Sequence, residues 1–466
     1  MLTQTKNINV NKSGYSAAQM RQGMLFALIA WSFGAPFIAI TSGGALTAFL
    51  QNYLKTDDFS YGLIMAAGSA AAAFLYIGSY LVEHTGRVKR NFLIFVSLHR
   101  LLWLGVAAVP FLAPGTPYIL KIWIVGLCVF FSALSANIGG AGWVTWMSDL
   151  VPKSIAGKYF GIRSRIGLIA MIITSSVMAF LLDYFKGQGW MYGIAFGCAA
   201  LLGVIDILLF IPVAEHKVEH NADTSRATLW EIISIPWLDH KFRSLSLYTI
   251  VVWVSYVMMG SFAWRFCFDS TASHGLQMNI LTATFVISIM PMIPMAWVAP
   301  FWGQAIDRFG PKPVLALSSL SQIILPIGWI IMRPDTLWLL PIMAILGGLC
   351  WPGNDQSLFY IQLKEFPAAK RTAFNASFSV VLTMAGLIGN PLGGFLASMS
   401  QRYFSSFNAS GIFYSHYQPL FVFCVVLRLL AFLFILPRLP IAGVARHREV
   451  AHSLAKEASS SFSFKK

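Results

Sequence analysis

Twelve long apolar runs divide this chain, and they constrain its fold more than any other feature. A helix needs about 20 mostly apolar residues to cross the hydrocarbon core of a bilayer. The predicted spans are 24–50, 61–82, 91–112, 118–148, 159–184, 191–213, 244–268, 278–306, 314–332, 337–360, 373–397 and 418–439. Only 11% of the 466 residues are charged, against roughly a quarter in soluble domains. The sequence therefore predicts an all-α, multi-pass membrane protein.

One polar connection, residues 214–243, separates six spans from six. Its second part mixes tryptophans, isoleucines and charges, which is typical of a helix lying in the membrane interface. The predicted organisation is a polar N-terminal tail (1–23), a six-helix bundle (24–213), this linker, a second six-helix bundle (244–440) and a basic, serine-rich tail (441–466) that we expect to be disordered. Residues 1–23 do not have the pattern of a cleaved signal peptide.

The basic residues predict the orientation of the chain. Of the 33 Lys and Arg, 25 lie in the tails, the even-numbered loops and the linker, and 6 lie in the loops of the opposite side. The positive-inside rule therefore predicts that both termini are cytoplasmic, in the plasma (cytoplasmic or inner) membrane. The net charge of +15 comes from basic residues scattered singly between apolar runs, so we expect lipid and no nucleic acid as a partner.

The sequence carries no pattern typical of an enzyme or a bound cofactor. The five cysteines all fall in apolar runs without metal-ligand spacing, and no phosphate-binding loop or nucleophile motif is present. We expect no catalytic residues, no cofactor and no metal site.

A short motif occurs twice, once after the second span and once after the eighth. The first copy is SYLVEHTGRVKR (79–90) and the second is GQAIDRFGPKPV (303–314). The second copy resembles the loop signature of the major facilitator superfamily of secondary transporters, and the first departs from it at three positions. The resemblance implies twelve transmembrane helices in two pseudo-symmetric six-helix bundles that work by alternating access. The motif residues are Glu83, Gly86, Arg87, Gly303, Asp307, Arg308 and Gly310, with Asp149 beside the first copy.

The resemblance also implies a gating role for the motif. Its carboxylates, Glu83 and Asp307, would accept N–H groups from helix N-termini of the opposite bundle when the cytoplasmic face is closed. We expect charge clusters around them, formed in the first half by Arg87, Lys89 and Asp149 and in the second half by Arg308, Lys312 and Glu365. The alternative is that these are ordinary loop charges.

Few charges lie within the spans, and each is a functional candidate. Arg100 and Asp206 fall on spans three and six, which the resemblance makes neighbours, so we expect an ion pair that locks them. Arg428 has no evident acidic partner. Its side chain can face either backbone carbonyls or the cavity, and the sequence leaves both alternatives open. Asp355 follows Pro352 and Gly353, which predict a break in span ten. It is a candidate for proton coupling or substrate contact, or part of a polar turn.

The resemblance implies that spans one, four, seven and ten line a central cavity. Their candidate lining residues are Trp31, Asn137, Trp143, Trp253, Tyr256, Trp351, Asn354 and Gln356. Aromatic rings with amides suit a neutral or amphiphilic organic solute, although aromatic residues also form belts at membrane interfaces. The predicted function is a monomeric secondary transporter of such a solute, with possible proton symport. The alternatives are a multidrug or metabolite exporter, and a non-transporting scaffold or sensor with the same fold.

Overall fold

The computed structural model describes residues 15–152, 155–215, 229–367, 371–408 and 411–440. Within these ranges the chain forms helices and connections, with no β-strand. The first ten helices are α1 Ala17–Thr41, α2 Gly44–Ala48, α3 Asp58–Ala70, α4 Leu75–Thr85, α5 Val88–Leu101, α6 Trp103–Ala108, α7 Tyr118–Gly140, α8 Trp143–Leu150, α9 Ala156–Tyr184 and α10 Gly189–Leu208. The remainder are α11 Leu229–Leu238, α12 His240–Phe268, α13 Ile280–Thr284, α14 Met292–Phe309, α15 Pro311–Ile331, α16 Leu339–Glu365, α17 Arg371–Phe407 and α18 Gln418–Leu430.

Eleven helical segments of the described chain are long and apolar enough to cross a membrane. Several combine consecutive helices, such as Ala17–Tyr53, which joins α1, α2 and a π-helical turn. The helix α16 is not among the eleven, because the polar run 354–357 lowers its mean hydropathy. The chain is a multi-pass membrane protein, and twelve spans with cytoplasmic termini remain a prediction.

Two predicted spans differ from the structure in their continuity. The fourth, 118–148, is interrupted at Ala141 and Gly142, between α7 and α8. The break predicted in span ten is wrong, since α16 continues through Pro352. A proline removes one backbone hydrogen bond, and a membrane helix tolerates this when neighbouring helices support it. Gly353 allows Trp302 to pack closely against α16, because a Cβ at this position would come within 2.7 Å of the Trp302 side chain.

The chain forms two compact units, each described separately. The first comprises Met1–Leu229 with Asn279–Thr284, and the second comprises Trp230–Met278 with Phe285–Lys466. In the first unit, Phe92, Trp146 and Phe210 belong to one buried hydrophobic cluster. In the second, Phe242 and Phe378 belong to another. The predicted disordered tail and residues 216–228 of the predicted linker lie outside the described residues; α11 forms the linker's second part.

A lysine contact recurs in the two units. In the first unit, Lys89 Nζ donates to the carbonyls of Ile211 (2.6 Å) and Val213 (2.8 Å). In the second, Lys312 Nζ donates to the carbonyls of Pro437 (3.0 Å) and Leu439 (2.8 Å). Each ammonium thus satisfies carbonyls left open where a helical segment ends. The sequence repeat is therefore also a repeat of local structure.

Candidate functional site

A buried ion pair joins α5 to α10 in the first unit. Arg100 Nη2 donates to Asp206 Oδ2 at 2.9 Å, and both side chains are under a tenth exposed. The guanidinium carbon lies 3.9 Å from the ring centroid of Phe37 on α1. These are the two charges that the sequence pairs across spans three and six.

Two glycines make room for this pair. A Cβ at Gly34 would lie 2.5 Å from Asp206 Oδ2, and a Cβ at Gly203 would lie 2.6 Å from Arg100 Cδ. Both distances are far below van der Waals contact, so any larger residue would displace the charged groups. The helices α1, α5 and α10 can thus bury two charges only because glycine stands at these positions.

A second arginine of the first unit lies on α9, packed against tryptophans. The guanidinium carbon of Arg163 is 4.1 Å from the ring centroid of Trp31 and 4.7 Å from that of Trp143. The Nε atom of Arg163 is buried and has no hydrogen-bond partner among the described residues. Two of the predicted lining residues therefore surround a cation.

Asn137, the third lining candidate in the first unit, has a local role. Its Nδ2 donates to the carbonyl of Ala133 at 2.8 Å, one turn earlier in α7. An amide bonded to its own helix has a donor already satisfied.

An aromatic cluster forms the corresponding site in the second unit. The rings of Trp253, Tyr256 and Trp351 lie 5.2–5.7 Å apart, joining α12 to α16. Asn354 Nδ2 donates to the hydroxyl of Tyr256 at 3.2 Å. Four of the predicted lining residues are thus brought together; Trp253 Nε1 is buried without a hydrogen-bond partner among the described residues.

Arg428 also packs against the ring of Tyr256. It is 3% exposed, and its guanidinium carbon is 4.3 Å from the Tyr256 ring centroid. Its Nη1 donates to the carbonyl of Gln322 at 2.6 Å, and its Nε donates to Ser255 Oγ at 2.8 Å. Of the two roles left open by the sequence, the described contacts give it backbone-carbonyl bonding. The side-chain amide of Gln322 is buried with neither polar atom bonded among the described residues.

The neighbours of Asn354 face in other directions. Gln356 Nε2 donates to the carbonyl of Ala299 at 3.1 Å and so ties α16 to α14. Asp355 is exposed on the surface of its unit, on the same face as Phe359 one turn later. The polar run therefore divides between packing inside the unit and a carboxylate outside it.

Two of the motif glycines adopt backbone angles that favour glycine. Gly86 ends α4 with φ of 59°, and Gly310 ends α14 with φ of 84°, a region that favours glycine over other residues. Gly303 faces Gln356, where a Cβ would lie 3.5 Å from Oε1. Asp307, Arg308, Arg87 and Asp149 are exposed, and the side chain of Glu83 lies outside what the structure describes.

Three of the residues expected in charge clusters around the motif have other partners among the described contacts. Lys89 and Lys312 bond to carbonyls at helix ends, as described above, and Glu365 pairs with Lys241 on α12 at 2.6 Å. A lysine ammonium can hydrogen-bond to the carbonyls left open at the C-terminal end of a helix. Sequence spacing could not distinguish these partners.

Sequence reasoning missed Arg163, which it counted among the cytoplasmic loop charges. The structure places it within the membrane-spanning segment Lys158–Tyr184. Its distance of seven residues from the first residue of α9 corresponds to about 10 Å of helix. This depth could have identified Arg163 from the sequence, because an arginine inside a span is a functional candidate.

A cavity of about 430 Å³ also opens in the second unit, lined by His274, Arg333 and Tyr414 among others. None of the predicted lining residues contributes to it. The candidate site therefore rests on the two clusters above.

Comparisons with known proteins agree with this architecture. Residues 245–462 match the model of the Major Facilitator Superfamily. Protein ZINC INDUCED FACILITATOR-LIKE 1 of Arabidopsis thaliana is 28% identical over 148 residues, which are 30% of this chain and 29% of that protein. The match thus spans less than a third of the length of that curated relative.

Solved transporters share the fold at low identity. The nucleoside transporter NupG has a TM-score of 0.66 and 15% identity over 91% of this chain and all of that one. A bacterial homologue of the human lysosomal transporter Spinster has a TM-score of 0.63 and 14% identity over 95% of this chain and 99% of that one. A bacterial homologue of the iron transporter ferroportin has a TM-score of 0.59 and 13% identity over 90% of this chain and all of that one. The chain therefore shares the fold of these transporters, and just under half of it, residues 245–462, is similar to the Major Facilitator Superfamily.

Proposed function

We propose that this protein is a secondary transporter that carries a small amphiphilic organic solute by alternating access of its two bundles. The observation that supports this best is the cluster of Trp253, Tyr256, Trp351, Asn354 and Arg428, in which the two tryptophans are half-buried and the other three residues are buried. Polar groups at membrane depth are costly and mark substrate pathways by default. A non-transporting scaffold would gain nothing from them.

The chemistry of the cluster favours an organic solute. Three aromatic rings offer flat apolar faces, and the Asn354 amide and the Trp253 indole N–H offer hydrogen bonds. Small-molecule sites combine these features, with mostly apolar walls and a few convergent polar groups. Both termini are cytoplasmic in this proposal, and the protein acts as a monomer in the plasma membrane.

Protons supply the driving force in this proposal, and Asp355 is the coupling residue. Its carboxylate is exposed on α16, the helix of predicted span ten, next in sequence to the buried Asn354 that bonds to Tyr256. A carboxylate at this depth that binds and releases a proton can link proton movement to substrate binding one residue away. No nucleotide-binding motif offers an alternative energy source in the sequence.

The test is uptake of a labelled solute panel into proteoliposomes, with and without an inward proton gradient. The panel contains nucleosides, as suggested by the structural similarity to NupG, together with sugars, organic acids and amphiphilic dyes. We expect uptake that the gradient stimulates and that Asp355→Asn removes. The control, Asp335→Asn, changes an exposed carboxylate of the connection before α16 and leaves stimulated uptake intact.

The outcomes separate the alternatives. Uptake that is independent of pH and unchanged in Asp355→Asn contradicts the coupling assignment. Broad transport of unrelated dyes supports the exporter alternative. Failure of the whole panel in both uptake and exchange contradicts transport and favours the scaffold or sensor.

A further inference from the structure

Arg163 has the features of a binding group that the ion pair of the first unit does not use. Its guanidinium carbon lies over Trp31 and Trp143, and its Nε–H is buried without a described acceptor. Leaving a buried N–H unbonded is costly, and it is more costly for a charged group. A ligand that supplied an acceptor would recover that energy.

The charges around Arg163 do not balance. Asp206 interacts electrostatically with Arg163, but its hydrogen-bonded ion pair is with Arg100. Arg163 belongs to neither of the ion pairs found in the described chain. Among the described residues, Arg100 and Arg163 therefore share the carboxylate of Asp206, which leaves one positive charge unbalanced there.

Arg163 is also accessible and held in place. It is half-buried, whereas Arg100 and Arg428 are 6% and 3% exposed. Trp31 packs directly on Gly167 of α9, where a Cβ would overlap the indole. Contact with indole rings stabilises a guanidinium without using its N–H donors. Those donors remain free for a carboxylate or phosphate, which guanidinium binds in bidentate geometry.

We propose that Arg163, with Trp31 and Trp143, binds an anionic group of the transported solute, a carboxylate or a phosphate. This inference rests on the proposed transport function and narrows its substrate class to organic anions. The tryptophans hold the guanidinium in place and keep water from its faces, and the anion takes the unused donors.

The experiment measures binding rather than transport. The thermal unfolding midpoint of the purified full chain in detergent is followed against acetate and inorganic phosphate at up to about 100 mM, with chloride holding the ionic strength constant. We expect at least one of these anions to raise the midpoint of the wild type. In Arg163→Gln the apparent affinity falls about tenfold or more, the change expected for losing a charged hydrogen bond. Arg163→Lys keeps the positive charge but loses the planar guanidinium that donates two parallel hydrogen bonds, so we expect an intermediate affinity.

Arg165→Gln is the matched control, since it removes an exposed arginine from the same helix. We expect it to behave as the wild type. An equal rise in the wild type and Arg163→Gln, or no rise with either anion, overturns the proposal. The lysine variant separates loss of binding from loss of folding, because it preserves the cation.

A lipid headgroup could supply the same anionic chemistry, so a second arm uses nanodiscs of phosphatidylglycerol or phosphatidylcholine. Stabilisation that depends on Arg163 and appears only with phosphatidylglycerol overturns the solute site and assigns a lipid site. Both experiments measure stabilisation by a bound anion and do not depend on uptake. A failure of the transport proposal can therefore be distinguished from a failure of this one.

Discussion

At the scale of single residues, three arginines inside the helices are the informative positions. Each is stabilised differently: Arg100 by a carboxylate, Arg428 by a carbonyl and a hydroxyl, and Arg163 by indole rings. Desolvating a charge is costly, so each arrangement must recover much of that cost locally. The least compensated of the three, Arg163, is the one we assign to a ligand.

The ion pair of Arg100 and Asp206 gives a prediction about stability. Asp206→Asn leaves the buried arginine without its carboxylate, and we expect a loss of about 3–5 kcal/mol, the usual result of breaking a buried pair. The measurement is the unfolding midpoint in detergent. The double variant Arg100→Met with Asp206→Leu should recover most of the loss, because no charge remains buried.

Lys241→Gln is the control for that experiment. It breaks the exposed pair with Glu365, in which the lysine side chain is 53% exposed, and we expect a loss of no more than about 1 kcal/mol. Equal losses from the two single substitutions would show that burial does not determine the strength of these pairs.

At the scale of elements, glycines determine how closely the helices approach. Gly34 and Gly203 admit the ion pair, Gly167 admits Trp31, and Gly353 admits Trp302. Without a strong hydrophobic drive in lipid, helices associate through close packing at such small residues. Trp31 of the first candidate cluster is positioned partly in this way.

The substitution Gly167→Ala tests this packing. The added methyl would overlap the indole of Trp31, so we expect a lower unfolding midpoint and weaker anion binding at Arg163. Gly161→Ala, on the same helix with nothing within 4 Å of the new Cβ, should keep or raise the midpoint, since alanine favours helix by up to about 1 kcal/mol. A midpoint unchanged by Gly167→Ala would contradict the packing role.

At the scale of the whole molecule, the chain has the superfamily fold and a motif repeated in each half. In both copies the glycine ends a helix with positive φ. A lysine shortly after each glycine bonds to the carbonyls at the end of another helix of its own unit. The repeat therefore preserves a glycine with positive φ and a lysine contact at a helix end, although the carboxylate differs between Glu83 and Asp307.

The gating hypothesis applies at this scale. Asp307→Ala should lower the rate of transport without loss of folding, because the family resemblance gives its carboxylate a contact that forms and breaks during the cycle. Uptake and size-exclusion profiles are compared with those of Asp335→Ala, which removes another exposed carboxylate. Full activity in Asp307→Ala would rule out the gating role.

The sequence by itself determined the fold class, and the family resemblance predicted the pairing of Arg100 with Asp206; the division into two sets of six spans stays a prediction. Hydropathy, charge asymmetry and an internal repeat are properties of the chain alone, so they can be read without coordinates. The break predicted at Pro352 is wrong, because whether a helix breaks at a proline depends on what packs against it.

Only the tertiary structure decided which groups meet. It placed Arg163 against Trp31 and Trp143, gathered Trp253, Tyr256 and Trp351 beside Arg428, and gave Lys89 and Lys312 carbonyl partners in place of carboxylates. Spacing along one helix shows which residues share a face, but contacts between helices depend on rotation and close packing at small residues. The chemistry proposed for the candidate site therefore rests on the fold and not on any motif.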